Sequence, residues 1–240
     1  MLEHGIVDSM KRLKGAIACL SLAFSVAWVT AAGAAGGGEA VSSDEALQRL
    51  MEGNKRFLTS QMTACQRTTH ETVQKLSTGQ QPYAVILSCS DSRVPPELIF
   101  DVTLGDIFAV RVAGNVPDQI VLGSVEYAVE HLGSPLVMVL GHERCGAVTA
   151  AFEARGKPEG NIGTVIKTIT PAVTKAKQTA KGKSIPDQIE AAIDFNISLT
   201  AGNLTRHSRI IKRLVQERKV KIVEAKYDLD DGKVNLFTGK

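Results

Sequence analysis

Two stretches of the chain share one construction: Tyr83-Ala84-Val85-Ile86-Leu87-Ser88-Cys89-Ser90-Asp91-Ser92-Arg93 and Leu136-Val137-Met138-Val139-Leu140-Gly141-His142-Glu143-Arg144-Cys145. Each opens with a run of about five apolar residues, partly β-branched, and each run ends in polar residues. Such a run reads as a strand of a parallel sheet buried on both faces. Each strand then delivers metal-ligand side chains at its carboxyl end, and in open α/β sheets the crevice beyond those ends is where ligands bind. Working outward, strands alternate with helical patterns. This predicts an α/β fold with a mostly parallel central sheet, flanking helices and an antiparallel edge hairpin signalled by Asp230-Asp231-Gly232.

Cys89, His142 and Cys145 offer two thiols and an imidazole, a donor set that suits zinc in a tetrahedral site. Asp91 is the candidate fourth ligand. If the chain stays extended past Cys89, the period of two puts Cys89 and Asp91 on one face. Either cysteine alone reads as a buried core thiol. Four ligand-type residues at two strand ends make the metal reading the stronger one.

Three blocks, Cys89-Ser90-Asp91-Ser92-Arg93-Val94, Arg111-Val112-Ala113-Gly114-Asn115 and Gly141-His142-Glu143-Arg144-Cys145-Gly146, resemble the signature blocks of the β-carbonic anhydrases, in order and at familiar separations. The resemblance runs from about Ser43 to the end of the chain. It implies one Zn2+ per subunit and reversible hydration of carbon dioxide to bicarbonate and a proton by water activated on the metal. Cys89, His142 and Cys145 correspond to metal ligands, and Asp91 is either a fourth ligand or the partner of Arg93. In the latter arrangement Arg93 holds the carboxylate off the metal and Asp91 orients the attacking water. Gln80, Phe108 and Gly146 match positions that line the substrate pocket. Gly53-Asn54-Lys55-Arg56-Phe57 resembles an amino-terminal helix that relatives pack on a second subunit, so a homodimer or homotetramer is implied. Some bacterial relatives also carry a non-catalytic bicarbonate pocket with a tryptophan three residues before the first ligand cysteine. Ile86 stands there in this chain, which implies the type without that control.

Other readings use the same residues. A related hydrolase could direct the same activated water at carbon disulfide or carbonyl sulfide. A closed structural zinc site with Asp91 as permanent ligand would have no need of Arg93. A nucleophile pair of Cys89 and His142 leaves Cys145 idle. There is no Walker A pattern, no GxGxxG after a strand and no GxSxG.

Composition narrows the rest. With 240 residues, 44% of them apolar, the chain has room for one α/β domain and a leader. A formal charge of +3, from 28 basic and 25 acidic residues, argues against a general nucleic-acid binder, which needs a concentrated basic face. The basic stretch from Arg206 to Lys221 reads as the solvated side of a helix. Lys11-Arg12-Leu13-Lys14, the apolar run Ala16 through Val29 and the small residues Ala31-Ala32-Gly33-Ala34-Ala35 read as a secretory signal peptide over residues 1–34, without a membrane span in the mature chain; an uncleaved membrane anchor is the weaker alternative. Residues 35–42 then form a flexible linker, residues 43–240 the zinc domain, and an exported chain is expected in the periplasm. Cys19 falls within the leader, and Cys65 is expected to be a half-buried bystander.

Helices are expected to start at the Ser42 and Glu45 capping pair, at Thr69, at Pro95-Pro96 and at about Asp118. Further helices are expected from Cys145 to Arg155, from Ile162 to Lys181 and from Pro186 to Glu217, the last broken near Gly202-Asn203. A strand is expected at Lys221-Ile222-Val223-Glu224-Ala225.

Overall fold

The computed structural model describes residues 41–156 and 158–237; the leader and the first part of the linker lie outside them. Its centre is one five-stranded sheet built from Ala84–Ser88 (β1), Ile107–Arg111 (β2), Leu136–His142 (β3), Lys221–Tyr227 (β4) and Val234–Leu236 (β5), in the order β2-β1-β3-β4-β5. The first three pairings are parallel and β4 with β5 is antiparallel. Gly232, at φ 82°, supplies the positive-φ position of the turn before β5.

Both faces of the sheet are covered, which is why the two diagnostic stretches read as unbroken apolar runs. Four helices precede β2, namely Ser43–Leu58 (α1), Ala64–Arg67 (α2), His70–Leu76 (α3) and Pro96–Ile99 (α4). Val85, Leu87, Val137 and Val139 point into a core shared with Gln119–Glu130 (α5), Gly146–Glu153 (α6), Ile162–Thr179 (α7), Ile185–His207 (α8) and Arg209–Gln216 (α9). Ala84, Ile86, Leu136, Met138 and Leu140 point the other way, against the Leu50 side of the helix Ser43–Leu58 and the turn Pro96–Ile99. Burial of each large side chain contributes on the order of 1.5 to 3 kcal/mol.

Ser42 caps the first helix, accepting the Glu45 amide. Gly53 lies where a Cβ would fall 1.8 Å from the Phe100 carbonyl oxygen, so only glycine permits this approach. Beside it, the buried Asn54 amide donates to the carbonyls of Ile99 and Gly232, and its oxygen accepts from the Val234 amide. The Gly53-Asn54 segment thus ties the helix to its own chain.

The long carboxyl-terminal helix differs from expectation. It runs through Gly202-Asn203 to His207, and the break comes at Ser208. A helical glycine costs only about 1 kcal/mol relative to alanine, and burial of Ala201 and Leu204 offsets it. Ser208 ends the helix because it leaves helical geometry and caps α9, accepting the Ile211 amide. Cys65 is exposed rather than half-buried: in the one-turn helix Ala64–Arg67 only Ala64 is buried. No helix among the described residues is long and apolar enough to cross a membrane.

Candidate metal centre

The parallel register of β1 and β3 sets Ser88 opposite Leu140, which brings Cys89 level with Gly141 and next to His142. Glu143 and Arg144 then turn the chain so that Cys145 becomes the N-cap of α6. The result is a cluster in which Cys89 Sγ, Cys145 Sγ and a ring nitrogen of His142 lie within 4.8 Å of one another, all three residues buried. Sequence reasoning placed these three residues at strand ends, and the fold brings them to one point.

The hydrogen-bond pattern prepares the cluster for a cation. His142 Nδ1 lies 2.8 Å from the Glu143 carbonyl oxygen, a partner to which only a protonated Nδ1 can bond. Nε2 is thereby left with its lone pair directed inward, and it has no hydrogen-bond partner. A polar atom left unpaired in the interior costs roughly 1 to 3 kcal/mol. Cys89 is held below the usual thiol range by hydrogen bonding with Cys145, against the cost of burial, and by the Gly114 amide, which donates to its Sγ at 3.3 Å. Cys145 is correspondingly pushed up by the bond to Cys89 and by burial. Two sulfurs and an unpaired imidazole nitrogen fit zinc rather than a hard cation, which seeks oxygen.

Asp91 is aimed by a turn and not by strand alternation, because β1 stops at Ser88. Its carbonyl accepts the Val94 amide, and its Oδ1 accepts both the Arg93 amide at 3.0 Å and Arg93 Nε at 2.9 Å. A terminal guanidinium nitrogen of Arg93 donates to Oδ2 at 2.8 Å. The carboxylate therefore lies in the fork of Arg93, with Oδ2 3.7 Å from His142 Nε2. Hydrogen bonds from Arg93 hold its pKa well below the ordinary carboxylate range despite partial burial. From the neighbouring strand, Arg111 donates to the carbonyls of Cys89 at 3.1 Å and Asp91 at 2.7 Å, fixing the backbone of this turn.

The Gly114 amide and the Arg111 guanidinium are parts of the site that residue-type reasoning did not single out. Main-chain donors carry no signature, and both residues entered only as members of the Arg111-Val112-Ala113-Gly114-Asn115 block, without a role. Gly114 has φ 70°, and a Cβ there would lie 2.7 Å from Ile169 Cδ1. α8 holds the turn through Asn196, which donates to the Gly114 carbonyl, and Thr200, which donates to that of Asn115.

The three expected pocket residues are not gathered with the cluster to the same degree. Gly146 follows Cys145 directly, and the space where its side chain would stand is open. Phe108 is paired with Val85, four residues before Cys89, and packs against Tyr127 with ring centroids 6.2 Å apart. Gln80 is exposed in the loop before β1, at the opposite end of the strand from Cys89. At about 3.3 Å per residue, a five-residue strand separates its ends by on the order of 15 Å. Within one chain, Gln80 therefore does not reach the thiols.

An open, mostly parallel α/β sheet with a thiol–imidazole–thiol cluster at the carboxyl ends of two adjacent strands defines an α/β protein with a metal-type site. The carbonic anhydrase family profile matches residues 84–234. Carbonic anhydrase 2 of Mycobacterium tuberculosis is 40% identical over 195 residues, covering 80% of this chain and 91% of that protein. The solved structure of the β-carbonic anhydrase CcaA superposes with a TM-score of 0.65 at 27% identity, over 80% of this chain and 95% of that one. Two tetrameric β-carbonic anhydrases from Sordaria macrospora are represented by a structure with the same TM-score at 21% identity, covering 80% and 97%, a likeness of fold alone. The chain belongs to the carbonic anhydrase enzyme family, in its β class.

Proposed function

We propose that the chain holds one zinc ion through Cys89, His142 and Cys145 and catalyses the reversible hydration of carbon dioxide to bicarbonate and a proton. The observation that carries this reading is the buried, unpartnered Nε2 of His142 facing two thiols. Bound there, zinc supplies Lewis acidity that brings the pKa of a coordinated water toward neutrality. For zinc held by three histidines that value is about 7, and two thiolates, being stronger donors, need more help from their surroundings.

The surrounding residues supply that help. Arg93 brings a positive charge and occupies both oxygens of Asp91, so the carboxylate is kept from the fourth position. Asp91, whose carboxylate form Arg93 further stabilises, would accept a hydrogen bond from a water at the site and orient it. A closed structural site would require Asp91 to leave this fork. The Arg93–Asp91 contact is half exposed on the arginine side, and an exposed ion pair contributes only about 0 to 1 kcal/mol to stability. Its value lies in where it holds the carboxylate.

The active form is at least a homodimer. β2 is an edge strand with no partner on its outer side among the described residues, and Ile120 and Tyr127 of α5 are exposed large side chains on the adjoining helix. Gln80, too far from its own cluster, and Phe108, on the edge strand, then serve the pocket of a neighbouring copy. Residues 1–34 act as a signal peptide, and the mature enzyme works in the periplasm.

Metal analysis together with stopped-flow carbon dioxide hydration on the mature chain tests the reading. One zinc per chain and turnover that rises with pH are expected. Stoichiometric zinc without hydration activity would leave a structural site, and zinc retained in Cys89→Ser or Cys145→Ser would overturn the ligand assignment.

A further inference from the structure

His142 and Cys145 are joined by only two residues, and the second of them is strained. Arg144 has φ 49°, a left-handed conformation that a side chain larger than glycine adopts reluctantly. Something must hold it. The Arg144 amide donates to Glu190 Oε1 at 2.8 Å, across 46 residues of chain, and its carbonyl receives a weak contact from Arg93 at 3.5 Å. Its guanidinium is held separately by Asp230, at 3.1 and 2.8 Å, on the far side of the turn.

Glu190 is itself placed by two features of the fold. Gly141, just before His142, lets α8 approach β3 so closely that a Cβ there would lie 2.4 Å from Ile197. Two turns earlier on α8, Glu190 is thereby brought to the loop. Lys226, opposite Gly141 on β4, stands 2.8 Å from Glu190 Oε2 and 3.0 Å from Asp194. The lysine is 16% exposed and Glu190 30%, and the nearby charge restrains the carboxylate although its Oε2 has no well-formed hydrogen bond, so the contact of Oε1 with the Arg144 amide is the directed one.

We propose that Glu190 is a positioning residue for the metal centre: its carboxylate pins the Arg144 amide and so holds the left-handed turn that brings His142 and Cys145 onto one point. The proposal rests on the zinc reading above and goes beyond it by assigning a role to a residue outside the signature blocks. What matters is the reach of the carboxylate oxygen to the amide; the charge it shares with Lys226 is secondary.

Three variants separate reach from charge. Glu190→Gln keeps an acceptor oxygen at the same distance and discards the charge. Glu190→Asp keeps the charge beside Lys226 and falls one methylene short of Arg144. Glu190→Ala loses both. The readouts are zinc affinity by chelator competition, the visible spectrum of the cobalt-substituted protein, and thermal unfolding of the metal-free chain. Residues that orient metal ligands typically change affinity by about 10- to 100-fold when removed. Glu190→Asp and Glu190→Ala should therefore bind zinc at least about 10-fold more weakly and shift the cobalt bands, while Glu190→Gln stays within about 3-fold of the unmutated protein with an unshifted spectrum.

The reverse pattern, Asp retained and Gln lost, would mean that the ion pair with Lys226 is what counts and overturns the proposal. So would unchanged affinity and spectrum in both Glu190→Asp and Glu190→Ala. Should the alanine variant not fold, the Asp and Gln pair decides alone. If the unmutated chain takes up neither zinc nor cobalt, the zinc reading fails and this proposal falls with it, an outcome distinct from selective loss in the variants.

Discussion

Two aspartate–arginine pairs use carboxylates from the segment between β1 and β2, and they are built to opposite ends. Asp101 is wholly buried, at φ 44°, and its carboxylate collects Arg56 Nε, the amides of Thr63 and Ala64 and the Thr63 hydroxyl. Its carbonyl takes Arg67 as well. The carboxylate is saturated, and its donors come from segments far from it in sequence, so the pair is a knot that closes the amino-terminal layer on the sheet. Asp91 is paired with a residue two positions away. Its arginine is 51% exposed, and its Oδ2 faces the His142 ring across 3.7 Å. The first pair is fixed from all sides; the second leaves a carboxylate edge next to the cluster. The same two residue types thus serve stability in one place and, in the function proposed above, chemistry in the other, and the number of fixed donors around the carboxylate makes the difference.

This contrast can be broken by experiment. Arg56→Met should produce the largest loss of stability, about 3 kcal/mol, because it takes the ion-pair partner from a buried carboxylate and leaves it to two amides and a hydroxyl. Chemical denaturation checks it, and the folded fraction should still carry its full zinc content. A loss under about 1 kcal/mol would make Asp101 no different in kind from Asp91.

At the other pair the expected effect moves from stability to rate. Asp91→Asn should slow hydration by about 100-fold, the scale of a misplaced reacting group, with zinc retained and the unfolding midpoint almost unchanged. Arg93→Ala should also lose most activity while keeping zinc, since the released carboxylate can then take the fourth position, and its stability should change by no more than about 1 kcal/mol. X-ray absorption at pH 8 reads this directly. An open water position with near-normal turnover in Arg93→Ala would reduce Arg93 to an ordinary ion-pair residue.

The smallest expected effect is in acid. Burial alone would raise the Asp101 carboxyl, but Arg56, the Ala64 and Thr63 amides and the Thr63 hydroxyl outweigh it and hold it below its ordinary value. A carboxyl depressed by folding adds stability that is complete above the unfolded value and is lost as pH falls through the folded one. The contribution of Asp101 should therefore be constant above about pH 4 and decline below it. In Asp101→Asn that part of the acid slope should be missing when unfolding free energy is followed between about pH 5 and about pH 2.

Much of the molecule follows from local sequence. The continuous apolar runs at Ala84–Ser88 and Leu136–His142 mark strands covered on both faces, because a strand with one wet face would have to alternate. The thiols and imidazole at their ends mark the cluster, and the Asp-Asp-Gly turn marks the hairpin. What sequence left open depends on partners distant along the chain. Strand alternation suggested that Asp91 shares a face with Cys89, yet the strand ends at Ser88 and a turn tied by Arg93 and Arg111 aims the carboxylate. The break in the last long helix sits at Ser208 and not at Gly202, because packing decides whether a helical glycine is tolerated. Gly114 and Glu190 act through or upon main-chain amides, and a main-chain hydrogen bond has no residue type to read. Tertiary structure alone decides such contacts, for the physical reason that they require two segments to be fixed in space before either has a partner.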